Sequence, residues 1–383
     1  MPSRTSVTRP PHSLTSLSFR RDTADGGRDN PAPADSSDLR KEPVKIELSH
    51  DGRFARHAGH GLADKATRLL VMTVLALCAC TSDRPLSPSM TGPTHATSVA
   101  AVTAMNTVDT LALGVSYVPG SIHPHQVMDV FRTSGISGNL PAVICVHGGS
   151  WLSGDRHFGP STACAEALRR GAVVASIEYR FSTDSVWPAQ MHDVFTAVRC
   201  IRAAASKLHV DTARLAMIGL SAGAHLTLMA GVASTDSALL GLGLGCANQG
   251  SNLKAIVSVS GPTDFLSLLS DNAANGCATD STDLRSLYRL LGLTSVVSPA
   301  DTARIVSASP VANVRRAPPM QLWNGDHDCT VAYQQMQRME NAVLAGFPLA
   351  VVEQNVVVGS GHNLPGDTSI SRRIADFLER YLR

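Results

Sequence analysis

Apolar residues along this chain come in short dense runs rather than in strict alternation with polar ones. From about residue 108 the runs fall at Thr110–Val118, Val127–Arg132, Pro141–Val146, Ala172–Tyr179, Arg214–Leu220, Leu253–Ser260, Met320–Trp323 and Leu349–Val358, and they are rich in Val and Ile. A run without a regular polar face predicts a strand buried on both sides. Segments of helical character separate most of them: Ser161–Arg170, Pro188–Leu208, Ala222–Val232, Val331–Ala345 and Ile370–Leu382. This alternation predicts an α/β fold with a mostly parallel, eight-stranded sheet and helices on both faces. No helix separates the first two runs, so they are expected to pair as an antiparallel hairpin at the edge. Phe265–Leu293 interrupts the rhythm with polar loops and one short helical stretch, Asp283–Leu291. It reads as an insertion, either a lid or a solvated loop.

The N-terminal part follows another pattern. Residues 1–64 offer few apolar positions to bury and include Pro31-Ala32-Pro33-Ala34-Asp35-Ser36-Ser37-Asp38. They are expected to be disordered, or an extension lying ahead of the true start. Residues 65–80 carry a short basic flank, Lys65 and Arg68, then an apolar core that ends Leu77-Cys78-Ala79-Cys80. That core is too short to span a bilayer, and its parts are those of a secretory signal. The ending resembles a bacterial lipoprotein signal, in which a cysteine following a small residue is acylated. Cys80 after Ala79 matches that role, whereas the bulky Leu77 makes Cys78 a poorer match. Residues 81–107 are rich in Ser, Thr and Pro and read as a tether, leaving 108–383 as the folded domain. The expected location is the periplasm or outer membrane, with a lipid anchor as the membrane contact. A cytoplasmic protein with an apolar helix packed on its domain is the alternative.

A formal net charge of +2 gives no sign of a nucleic-acid partner. Cys145 falls in a strand and Cys164 and Cys200 on helix faces, so these three read as inert core thiols. Cys246 and Cys277 lie in loops rich in Gly and Asn, and export makes a disulfide between them the expectation. No spacing of His and Cys points to a metal.

The chemistry concentrates at Gly219-Leu220-Ser221-Ala222-Gly223, directly after an apolar run and before a helix. A serine at the apex of such a turn is held out of the sheet, above a helix N-terminus that favours negative charge. Acyl transfer then needs a base, a carboxylate to orient it, and donors for the oxyanion. The loop after Met320–Trp323 offers Asp326 and Asp328, and the loop after the last strand offers His362 between Gly361 and Asn363. The order Ser, Asp, His suits a strand–turn–helix serine hydrolase. Backbone N–H groups of Gly148 and Gly149, joined by that of Ala222, are the expected oxyanion donors. His147 and His225 read as structural. No step of this chemistry requires a cofactor.

These residues carry a resemblance. From about Val115 to Leu382 the chain is similar to the α/β-hydrolase superfamily, and within it to acetyl esterases, feruloyl-esterase-like enzymes and kynurenine formamidases. The motifs are His147-Gly148-Gly149-Ser150-Trp151, Gly154-Asp155-Arg156, Tyr179-Arg180 with Pro188-Ala189, Gly219 to Leu226, and Gly261-Pro262-Thr263-Asp264. The resemblance implies an α/β-hydrolase fold with a small cap insertion and selects Asp328, aligned with Val331, as the acid. It further implies a serine ester hydrolase acting through Ser221, Asp328 and His362 on a small ester. Short acyl groups are expected, because the insertion is short and polar and Trp151 stands beside the oxyanion glycines. An arylformamidase acting on amides is the nearest alternative, and a non-catalytic binding protein on the same scaffold a more distant one. Ser150, where a glycine is common, Asn324, where a histidine is usual, and Cys329 beside the acid depart from the pattern.

Overall fold

A computed structural model describes residues 107–159, 162–278, 284–294, 298–364 and 366–383. The N-terminal extension, the signal segment with Cys80 and nearly all of the tether lie outside the described residues. Eight strands form one sheet: β1 (Val108–Ser116), β2 (Val127–Thr133), β3 (Leu140–Val146), β4 (Val173–Ile177), β5 (Val210–Leu220), β6 (Ala255–Val259), β7 (Met320–Gly325) and β8 (Val352–Val357). Their spatial order is β1-β2-β4-β3-β5-β6-β7-β8. The β1–β2 and β2–β4 pairs are antiparallel and the remainder parallel. The edge hairpin and the parallel body therefore stand as expected.

Nine helices are described: α1 (Ala163–Arg169), α2 (Ala189–Ala203), α3 (Ala205–Leu208), α4 (Ala222–Val232), α5 (Leu268–Ala274), α6 (Arg285–Leu291), α7 (Pro299–Ser307), α8 (Gln334–Gly346) and α9 (Thr368–Leu382). Alternate residues of the strands feed two cores. Val143, Cys145, Val174, Ala216, Ile218 and Val257 pack with Leu168 of α1 and Ile374, Phe377 and Leu378 of α9. Ile144, Val146, Ala175, Ile177 and Met217 pack on the opposite face with Phe195 of α2, Leu226 of α4 and Met339 of α8. Burial on both faces is why the runs carry so few polar residues. Helices α5 and α7 were not anticipated. Both follow β6 in a stretch where polar residues mask helical periodicity, and α7 starts from a capping box between Ser298 and Asp301. Among the described residues no helix is long and apolar enough to cross a membrane.

The cysteine pairing differs from expectation. Cys145 joins Cys164, Cys200 joins Cys246, and Cys277 joins Cys329, with Cα separations of 6.4, 5.3 and 5.4 Å. Cys145, Cys164 and Cys200 are thus not free thiols, and Cys246 is not paired with Cys277. The reason is the layering. Cys145 on β3 faces α1, the loop carrying Cys246 folds back over α2, and Cys277 extends from α5 towards the loop after β7.

Candidate active site

Parallel pairing brings the C-terminal ends of β3, β5, β6, β7 and β8 to one edge of the sheet, with Val146 beside Gly219 and Gly325 beside Val357. Every loop with candidate chemistry leaves from that edge, as expected of an open α/β sheet.

Ser221 caps α4 at φ +53° and ψ −117°, a left-handed conformation that costs a non-glycine residue energy. The flanking glycines make the turn possible. A Cβ on Gly219 would collide with the backbone of Gly223, and one on Gly223 with the carbonyls of Val146 and His147. The Ser221 N–H donates to the Val259 carbonyl at 2.8 Å, fastening the turn to the neighbouring strand.

His362, in the loop after β8, places Nε2 2.9 Å from Ser221 Oγ and Nδ1 2.8 Å from Asp328 Oδ2. Ser260 Oγ donates to the His362 carbonyl at 2.9 Å and steadies that loop. Asp328 is fully buried. Its Oδ1 accepts the Thr330 and Val331 N–H groups at 2.8 and 2.9 Å, and its Oδ2 also accepts Asn324 Nδ2 at 3.1 Å. Burying a carboxylate without such hydrogen-bond partners would be costly. Asp326 turns away, towards His327 Nδ1 and the Gly359 N–H. The three residues expected to act together are therefore adjacent, and of the two aspartates it is Asp328 that meets the histidine.

The loop after β3 lies against the serine turn. A Cβ on Gly148 would press on the Leu220 carbonyl and Ser221 Cβ, so only glycine brings this backbone so close. The N–H groups of Gly148, Gly149 and Ala222 have no acceptor among the described residues. Gly149, Ser150 and Trp151 all have positive φ, so Ser150 takes the strained position where a glycine is common. His147 braces this loop. Its Nδ1 is 2.7 Å from the Gly148 carbonyl, its Nε2 is 3.1 Å from Glu178 Oε2, and its ring stacks on Tyr179. Burial pushes the Glu178 carboxyl up, but hydrogen bonds and charge from His147 and Arg156 outweigh it and hold the group below its ordinary value. Gly154 is a glycine because a Cβ there would strike the His147 ring. Glu178 was missed in the sequence, where it reads as the end of a strand; its only signal is its place beside Tyr179-Arg180.

On the α4 side of Ser221 an aromatic wall forms from Trp151, Trp187, His225 and Phe265. Trp151 Nε1 donates to His225 Nδ1 at 3.3 Å, and His225 Nε2 donates to the Ala308 carbonyl at 2.8 Å. Burial lowers the His225 pKa to about 4, so the ring is neutral near pH 7, as a structural histidine should be. On the other side a cavity of about 340 Å³ opens beside Gly148, Leu220, Phe158, Asn363 and Ile374. His123, His125 and Asp184 are the described residues whose donor atoms, within 4.8 Å of one another, could hold a cation. His125 Nδ1 meets Asp184 Oδ2 at 2.8 Å, and His123 Nδ1 accepts the backbone N–H of His125 at 3.1 Å, so both Nδ1 atoms have partners within the protein.

A serine-bearing strand–turn–helix elbow on a largely parallel eight-stranded sheet defines an α/β-hydrolase. The BD-FAE family model matches residues 128–343, and the chain belongs to that family. Esterase LipC of Mycobacterium tuberculosis (strain ATCC 25618 / H37Rv) is 29% identical over 217 residues, which are 55% of this chain and 50% of LipC. The chain thus spans about half the length of that curated relative. Among solved structures, a truncated carbohydrate esterase from gut microbiota superposes with a TM-score of 0.61 at 25% identity, over 72% of this chain and 96% of that one. Esterase B from Lactobacillus rhamnosis shares the fold, with a TM-score of 0.55 at 20% identity over 72% and 86% of the two chains.

Proposed function

We propose that the protein is a serine carboxylic-ester hydrolase acting on short-acyl esters. The observation that carries this reading is the continuous relay from Asp328 through His362 to Ser221, with contacts of 2.8 and 2.9 Å. Ser221 attacks the ester carbonyl while His362 Nε2 takes its proton, and Asp328 holds the imidazole with Nδ1–H towards itself. The unengaged N–H groups of Gly148, Gly149 and Ala222 receive the oxyanion. His362 then returns the proton to the departing alcohol, and water releases the acyl group from Ser221. Esterase activity in LipC and in the gut carbohydrate esterase supports the reaction class. The short-acyl part is drawn from the short, polar insertion and from the place of Trp151, directly after Gly149 and Ser150 in the loop beside Ser221.

Export belongs to the same proposal, with Cys80 as the acylated residue. Its support is the set of three disulfides, which persist in oxidising compartments and are rare in the cytosol.

A fluorophosphonate probe followed by peptide mapping tests the reaction: Ser221 should be labelled, and a protein left unlabelled there is not a serine hydrolase. A panel of p-nitrophenyl esters, run beside N-formylkynurenine and feruloyl esters, tests the substrate. Efficiency should peak at about two to four acyl carbons, the length a closed pocket accepts. A profile still rising at about eight carbons refutes the short-acyl part, and faster turnover of the formamide refutes ester preference.

A further inference from the structure

The first part of the insertion is fastened on two sides. Towards α8, Asp271 of α5 accepts Arg338 Nε at 2.6 Å, Arg338 Nη2 at 2.7 Å and Gln335 Nε2 at 2.7 Å. Gln335 Oε1 in turn takes the N–H groups of Thr263 and Asp264, both at 2.8 Å. Towards the acid loop, Asn275 Nδ2 donates to the carbonyl of Asp328 itself at 3.0 Å. Asn272, 1% exposed, donates through Nδ2 to the carbonyls of Cys329 and Thr330 at 3.1 and 3.3 Å and accepts the Ala332 N–H at 3.0 Å. The Cys277–Cys329 disulfide then ties the arm covalently to the residue after Asp328.

Three successive carbonyls of the acid loop, from residues 328, 329 and 330, are therefore held from outside the loop. A turn held this way takes on the rigidity of the element that holds it, here a helix anchored to α8. We infer that Asn272, Asn275 and the Cys277–Cys329 disulfide are positioning residues for Asp328, so that this arm is a brace for the acid and not a door over the substrate. This rests on the proposed Ser221–His362–Asp328 reading. It matters to rate because a misplacement of about 1 Å in such a constellation costs about 10²-fold.

Asn275→Ala and the double variant Cys277→Ser/Cys329→Ser test the brace, each made in the wild type and in Asp328→Asn. With folding checked by near-UV circular dichroism, each should lower kcat by about tenfold while KM for a short ester changes less than about twofold. In the Asp328→Asn background, read as the residual rate of fluorophosphonate labelling, neither should cause a further loss, because both act through the carboxylate. Folded variants with wild-type kcat, or an equal loss in the Asp328→Asn background, overturn the inference. If the cysteine variant does not fold, Asn275→Ala decides alone. Wild-type protein that fails to label at Ser221 refutes the hydrolase reading itself, whereas labelled wild type with unaffected variants refutes only the brace.

Discussion

Replacing Asp328 with asparagine keeps the size of the side chain and removes one acceptor. In the native loop Oδ1 takes two backbone N–H groups, from Thr330 and Val331, while Oδ2 faces His362 Nδ1 at 2.8 Å. An asparagine has a single carbonyl oxygen to share between these two demands. Aiming its NH₂ at the backbone would strand two buried donors, at about 1–3 kcal/mol each. Turning the NH₂ to His362 instead gives up only the Asn324 Nδ2 bond to Oδ2, and that nitrogen keeps the Val331 carbonyl at 2.7 Å, so the oxygen stays on the backbone. Nδ1 must then accept, the ring proton moves to Nε2, and Nε2–H points at Ser221 Oγ, 2.9 Å away. An imidazole in that tautomer cannot take the hydroxyl proton. The expected result is a fall in kcat of about 10⁴-fold, or about 5 kcal/mol of transition-state stabilisation, with KM nearly unchanged. Steady-state hydrolysis of p-nitrophenyl acetate measures it, and Asp326→Asn is the control. Asp326 accepts from His327 and the Gly359 N–H, and the carboxylate hydrogen-bonded to His362 is that of Asp328, so the Asp326 variant should stay close to wild type. An Asp328→Asn enzyme within about tenfold of wild type, or an equal loss in Asp326→Asn, would refute the reasoning.

Burial lowers the His225 pKa from 6.5 to about 4, so the unfolded chain takes up a proton that the native ring refuses. The stability linked to it is complete above about pH 6.5 and drains away towards about pH 4, some ~3 kcal/mol in all; urea unfolding at about pH 7.5 and 4.5 should show a smaller acid loss in His225→Gln, and equal losses would count against it. Trp151→Ala opens the aromatic wall and should move the preferred acyl length upward in the ester panel, whereas an unchanged profile means that Trp151 does not limit the pocket. Non-reducing peptide mapping should recover the pairs Cys145–Cys164, Cys200–Cys246 and Cys277–Cys329, and a Cys246–Cys277 peptide would contradict the fold around them. Labelled palmitate should enter the exported protein and be lost in Cys80→Ala, so label that persists in that variant excludes Cys80 as the anchor.

Local features of this protein were legible because local backbone physics decides them. Runs buried on both faces read as parallel strands, and Gly219 and Gly223 around Ser221 read as a turn that no other residue could close. His362 stood out by its position after the last strand, and Gly148 and Gly149 by their pairing after the third. The choice between Asp326 and Asp328 was less local: the two are two residues apart in one loop, and only family likeness separated them. The structure separates them by burial, with Asp328 inside and hydrogen-bonded from several sides. Disulfide partners 19, 46 and 52 residues apart depend on which helix lies over which strand. The same holds for Glu178 under His147 and for the asparagines that grip the acid loop. Spacing along a chain limits what a turn or strand can do, but contacts between layers come into being only once the sheet and its helices have packed.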